Sequence, residues 1–202
     1  MNNLKYILIN SYDKETFNQI SNIHIKSLSE GGFITLFGNR FLEEIYKDIL
    51  LNNLGFLIVA KNNYIVSGFI LGCYNSNEMF KTIIYKKFFK YIFLILPHIL
   101  LKPFLIVKLF ETFLYNKKEK STINAELVVI AIDNNFRNSG IGSNLVNYLD
   151  NEFMKKNISE YKVTVHESNI NANKFYTKKG MKLVNSFNMY HKKWNLYVNT
   201  LK

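Results

Sequence analysis

The stretch 134–150, "NNFRNSGIGSNLVNYLD", decides the fold because it places Gly140 and Gly142 where an amphipathic helix begins. Each glycine inside a helix costs about 1 kcal/mol relative to alanine, so two in a first turn need a compensating role. A strand-like run, "AELVVIAID" (125–133), directly precedes the turn. A helix N-terminus after a strand presents unpaired amides, and glycine lets a phosphate approach them. The stretch therefore predicts a strand–turn–helix unit that binds an anion.

Two familiar phosphate-binding loops do not match this turn. The segment "GIGSNL" (140–145) lacks the third glycine of the dinucleotide fingerprint, and the chain contains no G-x-x-x-x-G-K-[ST] motif. A tight strand-to-helix turn without a ligand remains the alternative for an isolated R-x-x-G-x-G pattern. Other parts of the sequence are needed to distinguish an anion-binding turn from a tight turn without a ligand.

Alternating strand and helix periodicities predict one domain spanning 1–202, since no internal repeat or long flexible linker occurs. A hairpin is predicted around Asn62 and Asn63, because asparagine tolerates positive φ, and Gly180 is predicted to cap a helix. The predicted strands lie at 5–10, 55–61, 64–74, 125–133, 161–166 and within 181–194, and the predicted helices at 13–28, 39–52, 140–156 and 171–179.

Residues 77–120 interrupt this alternation with bulky apolar residues and many lysines. Nine lysines and three glutamates give the segment +6 of the formal net charge of +11. Its longest run without a charged residue, 91–101, is about half of the roughly 20 residues that a membrane-spanning helix needs. Pro97 and Pro103 are typical of helix first turns. We therefore predict a helical insertion of two or three short helices that do not cross a membrane.

The basic charge is carried almost entirely by lysine, because arginine occurs only at Arg40 and Arg137. Proteins that read base edges rely on arginine, so we expect no sequence-specific nucleic-acid binding. The single cysteine, Cys73, provides no disulfide framework, and the N-terminal apolar run is too short for a signal peptide. A cytoplasmic protein is expected. Four scattered histidines and one cysteine have no metal-ligand spacing, so no metal is predicted.

The glycine turn belongs to a longer motif. Arg137-Asn138-Ser139-Gly140-Ile141-Gly142 follows the strand directly and resembles the R/Q-x-x-G-x-G/A pyrophosphate loop of the GNAT superfamily of CoA-dependent N-acyltransferases. This resemblance implies an α/β (α+β) fold with a mixed, mostly antiparallel central sheet flanked by helices. The sheet is split where the cofactor enters.

A second motif downstream supports the same resemblance. Asn169, Ala172, Tyr176 and Gly180 match the family's N-x-x-A-x-x-x-Y-x-x-x-G pattern, with Met181 where phenylalanine is common. The two motifs have the expected order and separation. The resemblance covers 125–190 strongly, covers 1–75 only in the order of elements, and does not include 77–120 in the common core.

The resemblance implies acetyl-CoA as cosubstrate and assigns residues to it. The main chain of Ile130, Ala131 and Ile132 would pair with pantetheine. The amides from Asn138 to Ser143 would hold the pyrophosphate, and Asn169 would hydrogen-bond the cofactor arm.

Direct acetyl transfer to an amine needs a general base and a general acid, but no covalent enzyme intermediate. By resemblance the Tyr176 hydroxyl lies near the CoA sulfur, where a tyrosine protonated at neutral pH can act as the acid; packing on a helix face is its alternative. Glu126 at the start of the central strand is the candidate base, directly or through water, and a solvated strand-end carboxylate is its alternative. His166 is the second choice. We predict that Cys73 is a packed apolar residue and not a nucleophile.

Three hypotheses for the activity remain open. The first is N-acetylation of a primary amine of a small molecule or amino sugar, because acyltransferases of surface-polysaccharide synthesis look similar in carrying such an insertion. The second is acetylation of protein N-termini or lysines. The third is a noncatalytic CoA-binding protein that interacts with a membrane.

The insertion itself has three interpretations. It forms a lid or packed helix over the acceptor, a contact with an anionic membrane at the inner face, or a homodimer interface. Lysines interleaved with Phe88, Phe89 and Phe93 suit a helix at a membrane interface. The same pattern suits a helix packed on a core with solvated lysines.

Overall fold

The computed structural model describes residues 4–28, 33–113 and 115–201, and its centre is one seven-stranded sheet. The strands are β1 (Leu4–Ile9), β2 (Gly55–Asn62), β3 (Ile65–Cys73), β4 (Glu126–Ile132), β5 (Glu160–His166), β6 (Lys182–Met189) and β7 (Lys192–Thr200). Their order in the sheet is β1-β2-β3-β4-β5-β7-β6. Among the strand pairs of the described residues, only β4–β5 is parallel. The predicted mixed, mostly antiparallel sheet is confirmed.

Helices cover both faces of the sheet. They are α1 (Lys14–Leu28), α2 (Gly38–Leu51), α3 (Ser76–Lys81), α4 (Phe88–Leu101), α5 (Leu105–Phe113), α6 (Tyr115–Glu119), α7 (Ile141–Lys155) and α8 (Ile170–Lys178). A 3₁₀ turn at Phe33–Phe37 precedes α2. The two faces of β2 belong to different cores: Leu57 and Val59 pack with α1 and α2, whereas Ile58 and Ala60 pack with α7.

Local signals in the sequence account for several element boundaries. Asp13 caps α1, since its Oδ2 accepts a hydrogen bond from the Thr16 amide at 3.0 Å. The predicted hairpin is confirmed, with Asn63 in the left-handed region at φ 52°. Gly180 follows α8 at φ +82°, as expected for the residue that ends a helix.

The described residues between β3 and β4 form four α-helices and a π-helical turn at Thr82–Lys86, more than the two or three helices predicted. Pro97 lies inside α4 instead of in a first turn, so that part of the prediction is wrong. Proline removes the amide that would bond to the Phe93 carbonyl. The helix tolerates this loss because both residues lie on its exposed side.

The inner side of α4 attaches the insertion to α2. Tyr91 and Ile95 are buried in the same core as α1 and α2. The Tyr91 hydroxyl donates to Asp48 Oδ2 at 2.8 Å, and Lys90 Nζ lies 2.7 Å from carboxylate oxygens of both Asp48 and Glu44. A small set of polar contacts therefore fixes the position of this long apolar helix.

Among the described residues, no helix combines the length and the apolar character that crossing a bilayer requires.

Candidate active site

The glycine turn redirects the chain from β4 into α7. Asp133 Oδ1 accepts a hydrogen bond from the Asn135 amide at 2.9 Å, which starts a short 3₁₀ turn. Asn138 (φ 60°) and Gly140 (φ +83°) then adopt left-handed conformations, and α7 begins at Ile141. A positive φ is unfavourable for most side chains, which explains glycine at position 140.

Six consecutive main-chain amides, from Asn138 to Ser143, have no acceptor within the described part of the chain. The first helical bond of α7 runs from the Asn144 amide to the Gly140 carbonyl at 3.1 Å. A Cβ on Gly140 would meet nothing within 4 Å, and one on Gly142 would meet its nearest atoms only at 3.9 Å. The turn is thus an open row of donors at the positive end of a helix, a geometry suited to a diphosphate.

The strands β4 and β5 meet at one position only among the described residues. Glu126 pairs with Lys162, and no further pair follows toward the carboxyl ends of the two strands. In β4, Val128 has no partner in β3, because the register shifts between Leu71 and Gly72. Beyond the pair of Glu126 and Lys162, one edge of β4 therefore has no neighbouring strand among the described residues. We call the space between β4 and β5 at this edge the gap.

The antiparallel ladder with β3 determines which groups of β4 face that gap. The Asp133 amide donates to the Ser67 carbonyl at 2.9 Å, and bonded residues alternate along the ladder. The main chain of Ile130 and Ile132 therefore faces the gap, and the Ile132 carbonyl accepts a hydrogen bond from Ser27 Oγ at 2.9 Å. The main-chain groups of Ala131, the third predicted position, bond to β3 instead.

Arg137 and Asn169 flank the gap. The Arg137 side chain is exposed, and its Nη2 lies 3.5 Å from the Ser27 carbonyl. Asn169 is the N-cap of α8, because its Oδ1 accepts a hydrogen bond from the Ala172 amide at 3.1 Å. The cap engages the carboxamide oxygen, so the donors on Nδ2 are the part of Asn169 that remains for a ligand.

Tyr176 lies on the buried side of α8. Its ring centroid is 5.9 Å from that of Tyr197 and 5.4 Å from that of Phe175. The side chain is 4% exposed, and its hydroxyl has no hydrogen-bond partner among the residues that the structure describes. The packing and the acid role are compatible, since the ring packs while the hydroxyl stays available.

Glu126 lies in a buried polar cluster where the insertion meets the sheet. The Tyr115 hydroxyl of α6 donates to Glu126 Oε1 at 2.7 Å and lies 3.3 Å from Thr164 Oγ1. Lys162 Nζ forms an ion pair with Glu119 and lies 3.9 Å from Glu126 Oε2. Glu126 Oε2 accepts no hydrogen bond within the described ranges. The Ser76 hydroxyl is a further polar neighbour of this carboxyl group and lowers its pKa.

The family model described as "Acetyltransferase (GNAT) family" matches residues 22–181. This chain belongs to the GNAT acetyltransferase family. A search of curated proteins by sequence finds no significant match.

Solved structures with the same fold cover this GNAT protein almost completely. A GNAT-family acetyltransferase structure from Desulfovibrio desulfuricans has a TM-score of 0.64 at 9% identity and covers 98% of this chain and 100% of its own. An N-acetyltransferase from Staphylococcus aureus Mu50 has a TM-score of 0.60 at 15% identity, with 98% and 99% covered. The PaiA N-acetyltransferase from Thermoplasma acidophilum, solved in complex with coenzyme A, has a TM-score of 0.57 at 14% identity, with 97% and 99% covered. At these identities the likeness concerns the fold.

Burial controls the electrostatics of Glu126 in this GNAT protein. It raises the pKa of the Glu126 carboxyl from 4.5 to about 7, against the opposing effect of Lys162; Glu119 adds to the rise. Burial also raises the pKa of Glu119. A carboxylate with a pKa near 7 is a stronger proton acceptor than a solvated one and is still partly ionised at neutral pH. The solvated alternative for Glu126 is therefore wrong, because its side chain is almost completely buried.

The other titratable candidates have less suitable surroundings. Burial, together with Lys192, lowers the pKa of His166, whose Nδ1 bonds to Ser168 at the end of β5. Burial raises the pKa of Cys73 well above its usual range and keeps the thiol protonated, in agreement with the prediction of a packed residue. Burial likewise raises the pKa of Tyr176, so this hydroxyl stays protonated at neutral pH.

Three residues of the cluster around Glu126 were missed by sequence reasoning. Lys162 gave a signal, since it is a charged residue in the interior of the strand "YKVTVH" that neighbours the strand of Glu126. Tyr115 and Glu119 gave none, because they lie in the insertion and reach the sheet only through tertiary packing. In the described residues, no group of three or more His, Cys, Asp or Glu side chains could hold a metal ion.

Proposed function

We propose that this chain is an acetyl-CoA-dependent N-acetyltransferase that acetylates a primary amine of a small molecule or amino sugar. The observation that carries the proposal is the row of amides from Asn138 to Ser143, which have no acceptor among the described residues, beside an edge of β4 that no described strand pairs with. Membership of the GNAT family supports acetyl transfer in general. The amine acceptor and the roles of individual residues are the proposed part.

The residues around the gap fit acetyl-CoA. The amides of 138–143 would hold the diphosphate, and the main chain of Ile130 and Ile132 would bond to the amides of the pantetheine arm. Asn169 Nδ2 and the exposed Arg137 would contact the same arm and the phosphates. When bound, acetyl-CoA supplies the acetyl group as a thioester.

Glu126 is the proposed general base. Among the described residues, no donor forms a hydrogen bond of normal geometry with its Oε2, and the carboxyl group is partly ionised at pH 7 because its pKa is about 7. Tyr115 covers Oε1, so a proton from the acceptor ammonium would reach the carboxylate through a water molecule. The neutral amine that results is the form that can act as a nucleophile.

Tyr176 is the proposed general acid. Burial keeps its hydroxyl protonated, and no protein acceptor among the described residues holds the proton. The hydroxyl can therefore donate this proton to a thiolate that leaves next to α8. The alternative role, packing alone, predicts that removing the oxygen leaves the rate unchanged.

The surroundings of Glu126 support a small acceptor over a protein segment. Tyr115 of α6 is 5% exposed and packs against Phe187, Met189 and Leu196 of β6 and β7. These contacts close the sheet over the carboxyl group from the side of the insertion. An extended peptide would need an open groove at this place.

Calorimetric titration of CoA, followed by thiol release from acetyl-CoA with a panel of amines, tests the proposal. The panel should include nucleotide-linked amino sugars, polyamines and peptides. We expect saturable CoA binding and turnover with one class of small amine. Tyr176→Phe should lower kcat about 10- to 100-fold, whereas the matched variant Tyr64→Phe, at a side chain 78% exposed, should not.

The two measurements distinguish failure of the coenzyme site from failure of the proposed acceptor. Well-folded protein that gives no binding signal with CoA would overturn the coenzyme site and the activity together. CoA binding without turnover across the panel would leave the coenzyme site intact and favour the noncatalytic alternative. Turnover with peptides alone would replace the small acceptor by a protein acceptor.

A further inference from the structure

The outer face of the insertion is the largest group of exposed apolar side chains in the described residues. Among the residues whose burial is described, 21 large hydrophobic side chains are exposed; 11 of them lie between positions 85 and 110, and these include the five exposed phenylalanines. Single exposed apolar residues are ordinary, but a contiguous set marks a surface that is covered by something. We define the outer face by its members: Tyr85, Phe88, Phe89, Phe93, Leu96, Leu100, Leu101, Phe104, Ile106, Val107 and Phe110.

The two helices of the outer face are held from their opposite side. In α4, Tyr91 and Ile95 are buried, while Phe89, Phe93, Leu96 and Leu100 recur at helical spacing on the exposed side. In α5, Leu105 is 0% exposed, while Ile106, Val107 and Phe110 are at least half exposed. The apolar exposure is therefore built into a fixed pair of helices, because their inner sides are packed.

The charges around the outer face have one sign. From position 79 to 110 the chain has six lysines and no aspartate or glutamate. Glu44 and Asp48 pair with Lys90, so this lysine belongs to the inner side. In contrast, Lys86, Lys87 and Lys102 form no ion pair within the described ranges. They lie at the two ends of α4.

We propose that the outer face docks on an anionic lipid bilayer, with its phenylalanines and leucines at the boundary of headgroups and acyl chains. Helices that lie in a membrane interface have this composition, aromatic and aliphatic residues on one side with lysines that reach the lipid phosphates. Neither α4 nor α5 is long enough to span the bilayer, so the contact is peripheral.

Charge complementarity favours lipid over a second copy of the chain. A two-fold contact between outer faces would bring the lysines at the ends of one α4 against those of the other. No acidic residue of the outer face is available to balance them. An anionic bilayer supplies the missing negative charge and the apolar phase together.

Co-sedimentation with vesicles tests the proposal independently of the acetyltransferase activity. The wild-type chain should bind vesicles of equal parts phosphatidylglycerol and phosphatidylcholine and should partition far more weakly to phosphatidylcholine alone. One lysine beside an anionic leaflet changes the partition constant about fivefold. The variant Lys86→Gln/Lys87→Gln/Lys102→Gln should therefore bind about 100-fold more weakly to the anionic vesicles.

A second variant tests the apolar side chains. Phe89→Ser/Phe93→Ser/Leu100→Ser should lower binding to the anionic vesicles at least about 100-fold. Matched controls remove the same kind of group elsewhere: Leu51→Ser/Tyr64→Ser/Ile65→Ser for exposed apolar residues and Lys5→Gln/Lys14→Gln/Lys182→Gln for exposed lysines. Both controls should bind like the wild type. Circular dichroism and urea unfolding identify any variant that fails to fold.

Three results would overturn the proposal. One is a wild-type chain that stays in the supernatant with anionic vesicles. Another is an equal loss of binding in the control variants, which would show that vesicle binding depends on the total charge or total hydrophobicity of the protein and not on the outer face. The third is a wild-type chain that is dimeric in analytical ultracentrifugation and does not bind vesicles, while the Phe89/Phe93/Leu100 variant is monomeric. That result would assign the outer face to a second copy of the chain.

Discussion

The strand–turn–helix unit from Glu126 to Lys155 and the insertion from Ser76 to Glu119 are fixed by different kinds of interaction. The structure of the unit is determined mainly by its main chain, through the hydrogen-bonded ladder with β3 and the left-handed conformations of Asn138 and Gly140. The position of the insertion is determined by side-chain contacts, among them the hydrogen bonds from Tyr91 to Asp48 and from Tyr115 to Glu126. A site made of main-chain amides depends on few side chains, whereas the position of a packed helical segment depends on its side-chain contacts with distant parts of the chain.

The largest effect is expected at Glu126, where the two regions meet. Glu126→Gln keeps an acceptor for the Tyr115 hydroxyl and removes the proton acceptor, so kcat should fall about 100- to 10,000-fold. The pKa of Glu126 is raised to about 7, and only the ionised form accepts a proton. Wild-type kcat/KM should therefore increase as the pH rises through about 7, and the variant should lose this inflection.

The titration of the acceptor amine must be separated from that of Glu126. The pH profile of kcat/KM should therefore be measured with two acceptors whose amines have different pKa values. An inflection caused by the amine moves between the two acceptors, whereas an inflection caused by the carboxyl group stays at the same pH. An inflection near pH 7 that persists in Glu126→Gln with both acceptors would assign the base to another group, with His166 tested next.

The second largest effect is expected in the turn. Gly140→Val places a branched side chain at φ +83° beside the free amides, so CoA affinity should fall about 100-fold, equivalent to one or two charge-assisted hydrogen bonds. Gly38→Val is a matched control, because Gly38 also starts a helix at φ +80° with nothing within 4 Å of the added Cβ. Equal loss of CoA affinity in both variants, measured by calorimetry, would mean that strain and not the site is responsible.

The third effect is on stability and lies in the insertion. Tyr91→Phe removes a hydrogen bond to the buried Asp48 carboxylate, so the free energy of unfolding in urea should decrease by about 2 kcal/mol. Tyr85→Phe, at a side chain 72% exposed, should leave it unchanged. CoA affinity should stay the same in both. A loss of CoA affinity in Tyr91→Phe would show that the insertion and the turn are coupled.

The smallest effect is expected at Tyr115, the contact between the insertion and the central strand. Its hydrogen bond lowers the pKa of Glu126, so Tyr115→Phe should move the inflection of kcat/KM to higher pH and cost about 1 kcal/mol of stability. Thr164→Val leaves the bond between Tyr115 and Glu126 in place and serves as control. A shift in the opposite direction would mean that the hydroxyl does not stabilise the ionised carboxyl group.

The sequence predicted the strand–turn–helix unit well because its signals are local. Predicted helices 13–28, 39–52 and 140–156 correspond to α1, α2 and α7 within one or two residues. Two asparagines were enough to locate the hairpin. Each of these features depends on the conformational preferences of neighbouring residues, which the chain carries in consecutive positions.

The insertion was harder to predict for a physical reason. Helix α4 is apolar on both sides, so periodicity alone cannot distinguish its inner from its outer side. Lys90 looks like Lys86 and Lys87 in the sequence, yet it pairs with Glu44 and Asp48, more than 40 positions away. The cluster of Glu119, Lys162 and Glu126 likewise combines distant segments.

Among the described residues, β4 and β5 share a single register position, so the sheet consists of two leaves joined at that position. The first leaf is β1–β4 and the second is β5–β7, and the joint is the Glu126–Lys162 pair with its buried charges. The joint between the leaves thus also contains the carboxylate that we propose accepts a proton from the acceptor amine. A substitution that changes the packing at this joint would therefore also change the surroundings of the proposed base.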